Sequence, residues 1–196
     1  MVSIKLDRKL FVFLIVCLLI ISAILIAWYG LQPKHLKMEY NNVGFVKKDG
    51  LWFAALRTEQ GPVLLSFHHN PQEVEKVPVS GTVPDDFFKD TIYLTAEPGD
   101  PPNFPYDIFA IQELMFTARD AWKTKFIISC TFNGSACPED APIVTCASQD
   151  KRVIYFDRTG LSGVTVHGNC ITVKGSNRES MRSSDKLLYV SLGIIK

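Results

Sequence analysis

The run from Leu10 to Tyr29 constrains this chain more than any other feature: twenty residues without a charge, with Ser22 as the one interior polar group. At 1.5 Å per residue, a helix of that length matches the roughly 30 Å hydrocarbon core of a bilayer. A cleaved secretory signal would carry an apolar region of about 7 to 15 residues ending in a small-x-small site. Here the run is longer and leaves through Trp28 and Tyr29, side chains suited to a membrane interface. A buried helix of a soluble protein is disfavoured because nothing polar marks a solvent face. The expected organisation is a short cytoplasmic tail over 1–9, a transmembrane anchor in contact with membrane lipid over 10–29, a stem over 30–37 containing Pro33, and one extracytoplasmic domain over 38–196.

The chain beyond the stem has the size of a single domain and can bury a core without metal staples. The whole sequence carries 21 basic and 20 acidic residues. Setting aside Lys5, Arg8, Lys9 and Asp7 before the anchor leaves 18 against 19, so the domain is close to neutral. A field of that kind excludes nucleic acid as a partner class.

Flanking charge does not orient the anchor, because Lys34, Lys37, Lys47 and Lys48 after it balance the basic residues before it. Cysteine usage is more informative. Cys17 lies in the apolar run, whereas Cys130, Cys137, Cys146 and Cys170 cluster in the last third of the domain. An even, clustered set suits two disulfides in an oxidising space. The sequon Asn133-Gly134-Ser135 falls between the first two cysteines, where a glycan at Asn133 would meet no core. These features favour a cytoplasmic N-terminus and an external domain, the alternative being a cytoplasmic domain with free thiols.

The domain reads as α/β, with α+β as the alternative: a mixed sheet and two main helices. Gly44–Lys48 and Leu51–Arg57, joined at Asp49-Gly50, form a predicted hairpin, and Pro62–Phe67 adds a third antiparallel strand. A helical turn is expected after Pro71, and 81–89 reads as loop. Thr91–Thr95, a helix from Tyr106 to about Lys123, and Lys125–Cys130 make a strand–helix–strand unit. The helix would bury Ile108, Ile111, Met115, Ala118 and Trp122, with Asp107, Glu113 and Asp120 solvated. Strands are further expected at Ile143–Cys146, Val153–Phe156, Val164–His167 and Asn169–Lys174. Ser176-Asn-Arg-Glu179 has the form of a capping box before a last helix carrying Met181, Ser184, Leu187, Leu188 and Leu192.

Few patterns carry chemistry. The cysteines lack the Cys-x-x-Cys spacing of a structural zinc site. Pairing Cys130 with Cys137 across a small loop, and Cys146 with Cys170 between two strands, is the expected arrangement among three allowed by the count. His68 and His69, with Glu73 nearby, are the candidate metal ligands. Adjacent strand residues point to opposite faces, so a polar strand end is the favoured reading. His167 reads as an ordinary strand histidine, and Asp85, Asp86, Asp90 and Asp100 as solvated loop acids without calcium-loop spacing. No nucleophile elbow, phosphate-cradling loop or His-Glu-x-x-His helix is present. No cofactor and no catalytic residue is expected.

The stretches Ile143-Val-Thr-Cys146, Gly168-Asn-Cys-Ile-Thr-Val-Lys-Gly175, Asp185-Lys-Leu-Leu-Tyr189 and Leu192-Gly-Ile194, with Asn70-Pro-x-Glu-Val74, resemble a group of uncharacterised single-pass membrane proteins of archaea. That resemblance implies an N-terminal anchor, pairing of Cys146 with Cys170 and an amphipathic C-terminal helix, and implies no activity. The expected function is a non-enzymatic binding or assembly module of the cell envelope. Its partner would be an envelope or membrane protein, met near Phe104 and Tyr106 and along the anchor. The rival is a membrane-bound hydrolase or thiol redox enzyme using His68 or His69 with nearby acids, or a reactive cysteine.

Overall fold

A computed structural model describes residues 8–30, 36–59, 61–98 and 105–196, with side chains from 14–25 in the first of these segments and from residue 108 in the last. Pro33, Asp100, Phe104 and the side chains of Trp28, Tyr29 and Tyr106 therefore lie outside the described residues. The chain divides into two compact units, Met1–His35 and Leu36–Lys196.

The first unit contains helix α1 (Arg8–Gly30), 23 residues long. Side chains are described for 14–25, and no helix among the described residues is long and apolar enough to cross a membrane.

The second unit is a mixed α/β domain built on two sheets. Four antiparallel strands form the first: β1 (Lys37–Tyr40), β2 (Val43–Lys48), β3 (Leu51–Thr58) and β4 (Gly61–Phe67). The hairpin closed by Asp49-Gly50 is present, with φ of 51° and 86° at the two turn residues. Strand β1, not anticipated from sequence, is joined to β2 by a second tight turn at Asn41 and Asn42, with φ of 47° and 65°. Asparagine tolerates the left-handed region better than most residues, and two-residue hairpins of this type require it at both positions.

The short helix α2 (Pro71–Val74) leads to β5 (Val79–Ser80) and a single 3₁₀ turn at Phe87–Lys89. Then come β6 (Thr91–Ala96), α3 (Pro105–Trp122), β7 (Lys125–Cys130), β8 (Arg152–Asp157), β9 (Gly163–His167), β10 (Cys170–Lys174) and α4 (Arg178–Ser191). The second sheet has the order β5-β9-β10-β8-β6-β7, parallel except between β9 and β10. As expected, α3 connects the parallel neighbours β6 and β7.

Helices α3 and α4 pack on each other, and both sheets pack on them: α3 meets β4, while α4 meets β9 and β10. One core runs through the layers, from Phe45, Leu65 and Phe67 of the first sheet to Ile154, Ile171 and Val173 of the second. Helix α4 is buried nearly all round, including Ser180, Ser183, Ser184, Asp185 and Lys186. Its polar side chains act as backbone stitches. The Ser183 hydroxyl donates to Lys174 O at 2.5 Å and accepts from the Gly163 amide at 2.8 Å, fastening the helix to β9 and β10.

Three local expectations need correction. Ser176 does not cap α4; the cap position is Asn177, at φ 55° and without a side-chain cap bond. Gly175, at φ 133°, approaches the helix so closely that an added Cβ would lie 2.6 Å from the Glu179 carbonyl carbon. Ile143–Cys146 is not a strand but makes a single parallel bridge between Ile143 and Cys130. Cys146 is bonded to Cys170 on β10, so after Ile143 the chain leaves the β7 edge and crosses the sheet. On that crossing Val144 packs with Val153, Cys170 and Tyr93, and its carbonyl accepts from Thr95 Oγ1 at 2.9 Å. The third correction concerns α3, whose fully buried stripe is Ala110, Glu113, Leu114, Thr117, Ala118 and Ala121. Ile111, Met115 and Trp122 lie at the core margin, Ile108 is exposed, and Glu113, expected in solvent, is buried.

Candidate functional site

Strand β4 ends at Phe67, and the next residues bend into α2. That bend is set by a capping box at Asn70: its side chain accepts from the Glu73 amide at 3.0 Å, and the Glu73 carboxylate accepts from the Asn70 amide at 2.6 Å. Pro71 occupies the first helical turn, where its missing N–H costs nothing. Glu73 is thus occupied with capping and does not join His68 and His69 as a ligand set.

The histidines meet two other acids. His68 contacts Glu113 of α3 twice, through ring Nδ1 to Oε2 and through its amide to Oε1 at 3.2 Å. His69 does the same with Asp185 of α4: Nδ1 lies 2.8 Å and the amide nitrogen 2.9 Å from Oδ2. Tyr189, one turn beyond Asp185, donates its hydroxyl to the His69 carbonyl at 2.7 Å. Its ring packs between Phe45 and Phe67, with centroids at 5.9 and 4.5 Å. Two consecutive residues at a strand end therefore tie the first sheet to both central helices.

A carboxylate oxygen facing Nδ1 accepts from the tautomer that carries its proton there. Neither Nε2 has a hydrogen-bond partner among the described residues, and the side chains are 31 % and 22 % exposed. Burial pushes the His68 pKa below its ordinary value; the Asp185 charge opposes this and His69 reinforces it. Burial pushes the Asp185 carboxyl up against the favourable contacts from His69. Asp185 Oδ1 has no hydrogen-bond partner, so only one carboxylate oxygen is compensated. Burial also raises the Tyr189 hydroxyl, helped by the Asp185 and Glu73 charges, so it remains a donor.

A ring held by a carboxylate at Nδ1 is how enzymes orient a general base and how proteins support a metal-bound histidine. What accompanies it here is sparse. No group of three or more His, Cys, Asp or Glu side chains among the described residues could hold a metal. A cavity of about 600 Å³ is lined by Val77, Gly81, Phe88, Trp122 and Lys186 and does not reach either histidine. Of the remaining candidates, His167 is exposed at the end of β9. Asp85 is exposed, Asp86 pairs with Arg152 at 2.6 Å, and Asp90 accepts from the Thr91 amide.

The four domain cysteines form Cys130–Cys137 and Cys146–Cys170, with Cα separations of 6.2 and 5.3 Å. Cys17 is the free cysteine. Asn133 is exposed within the loop that the first disulfide closes.

A second feature lies along β7, the outer strand of the second sheet. Ile127 and Ile128 are 36 % and 50 % exposed, and Phe116 of α3 is 52 % exposed. Phe116 and Met115 border a groove of about 520 Å³ with Phe126 and Ile127, while Ile108 and Ile111 border a smaller one with Ile128. No known protein family, curated protein or solved structure matches this chain.

Proposed function

We propose that this protein is a membrane-anchored, extracytoplasmic binding or assembly module of the cell envelope that acts without catalysis. The observation that carries the reading is the outer margin of β7 before the bridge at Cys130, which pairs with no other strand among the described residues and is rimmed by exposed Ile108, Phe116, Ile127 and Ile128. Folded domains seldom leave an apolar strand edge uncovered, because its unpaired backbone and apolar rim recruit another chain. The anchor is supported by the twenty uncharged residues from Leu10 to Tyr29 in the sequence. External placement is supported by the two disulfides and by the exposure of Asn133. The resemblance to archaeal single-pass membrane proteins points the same way.

A membrane-bound hydrolase is the second reading, favoured by the orientation of His69 by Asp185. A thiol redox mechanism has less support, since all four domain cysteines are bonded. The two classes separate in one comparison. Native membranes carrying the intact chain, Ile128→Lys, or the double substitution His68→Gln and His69→Gln are solubilised, and the stoichiometric partners of each are quantified. A binding module loses its partner with Ile128→Lys and keeps it with the histidine variant; the opposite pattern overturns the reading.

A further inference from the structure

We infer that the groove between the 77–85 segment and the C-terminal turn of α4 binds a small apolar molecule carrying a single carboxylate, recognised by the ammonium of Lys186. The inference goes beyond the binding-module reading, since no residue lining this groove belongs to the apolar rim of β7.

At about 600 Å³ the groove falls within the range of small-molecule sites, and its lining has their usual make-up of many apolar groups and few polar ones. Phe88 and Trp122 stack with centroids 4.7 Å apart and an interplanar angle of 17°, and Val77, Val190 and Ile195 extend the apolar wall. Backbone contacts hold that wall in place. The Thr124 hydroxyl donates to Phe88 O at 2.5 Å, and the Phe87 amide donates to Pro84 O at 2.9 Å. Gly81, at φ 87°, approaches β9 so closely that an added Cβ would stand 2.4 Å from Val166 O. A site formed in advance asks little ordering of its ligand.

Lys186 decides which ligand fits. It is 5 % exposed, yet among the described residues its ammonium makes one hydrogen bond, to Glu75 O at 2.8 Å, although the group carries three donors. That bond places the head at the end of the groove bounded by Val77. Burial pushes the Lys186 pKa below its ordinary value, and the Glu75 charge opposes the shift. The Glu75 carboxylate itself accepts from the Tyr40 hydroxyl at 3.2 Å and makes no direct contact with the ammonium. The Ser191 hydroxyl donates to Leu187 O, and Asp85 and Lys196 are exposed, so Lys186 is the buried charge of the lining. A ligand carboxylate at that end accepts from the remaining donors in a charge-assisted bond. An uncharged analogue covers the ammonium without compensating it, and a cation is repelled. A dianion such as a phosphate monoester brings a second charge that one buried ammonium leaves unmatched.

Isothermal calorimetry on the full-length chain in lipid nanodiscs tests this, with empty nanodiscs as the blank. The probes are naphthalene-2-carboxylate and its uncharged counterpart, naphthalene-2-carboxamide. The acid is expected to bind about tenfold more tightly than the amide or better, the scale of one hydrogen bond to a charged group. Lys186→Met keeps the apolar stem and should bring the two affinities level. Val83→Trp, in the lining of the groove, should abolish binding of both. Equal affinity for acid and amide in the unsubstituted chain overturns the inference, as does failure to bind either probe. So does a preference for the acid that survives Lys186→Met, or binding indifferent to Val83→Trp. Should Lys186→Met fail to fold, the comparison of acid with amide in the unsubstituted chain decides alone.

Discussion

Removing the His69 ring isolates the buried carboxylate on which the centre of the domain depends. In His69→Ala, Asp185 keeps the amide bond at 2.9 Å and loses the ring bond at 2.8 Å, while Oδ1 is already without a partner. Removing the donor of a hydrogen bond to a buried carboxylate costs about 1.5–3 kcal/mol. Asp185 is buried while the His69 side chain is 22 % exposed, so water reaches part of the vacated space and the loss should be about 2–3 kcal/mol. In a unit of this size that is roughly 4–12 °C in Tm. Tyr189→Phe is the internal comparison, since it deletes one neutral bond to the His69 carbonyl and should cost about 1 kcal/mol. The assay is urea unfolding of the full-length chain in detergent micelles at pH 7, disulfides intact, followed by tryptophan fluorescence. Repeating His69→Ala in an Asp185→Asn background should recover about 1 kcal/mol or more of the loss as coupling energy. A loss no larger than that of Tyr189→Phe, or one unchanged in the Asp185→Asn background, would refute the idea that His69 compensates Asp185.

Further outcomes rest on the same geometry. The His68 pKa is lowered by burial, so the unfolded chain binds more protons between pH 6.5 and the folded value, and stability should fall as pH drops through that window. His68→Gln should flatten this slope in unfolding curves taken from pH 7.5 downward. Asp185, shifted up from 3.8, contributes in the opposite sense: its share is full below pH 3.8 and is lost as pH rises through the folded value, and Asp185→Asn should remove it. Replacing Cys146 and Cys170 together by Ser opens a 24-residue separation and should cost about 3.5 kcal/mol on loop entropy, against about 2.5 kcal/mol for Cys130 and Cys137, as denaturant midpoints would report. Gly175→Ala forces a side chain into φ 133° and against Glu179, and should lower stability by more than about 2 kcal/mol in the same unfolding assay.

Local rules carried the sequence reading furthest where one element determined its own form. The Asp49-Gly50 hairpin, the strand–helix–strand unit and the boundaries of β7 all come from turn chemistry and periodicity. The reading weakened where tertiary contacts decided. Helix α3 has apolar residues on two sides, and the stripe that is fully buried, from Ala110 to Ala121, includes Glu113 because His68 stands opposite it. Ser176 had the right spacing for a cap, but the helix begins one residue later, with Asn177 at the cap position in the left-handed region of φ. Meanwhile the box at Asn70 and Glu73 passed unread because glutamate beside two histidines suggested a ligand. Asp185 carried one visible signal, an acid close before the apolar run Leu187, Leu188 and Tyr189. Its partner sits 116 positions away, which no local pattern encodes.

The central claim is that an anchored domain faces outward, and its most direct test is labelling of Leu161→Cys, in the Cys17→Ser background, with a membrane-impermeant maleimide. Position 161 is 83 % exposed, so accessibility reports topology rather than burial. The extracytoplasmic assignment predicts full labelling in intact cells, unchanged by lysis. Labelling that appears only after lysis would place the domain inside and contradict it.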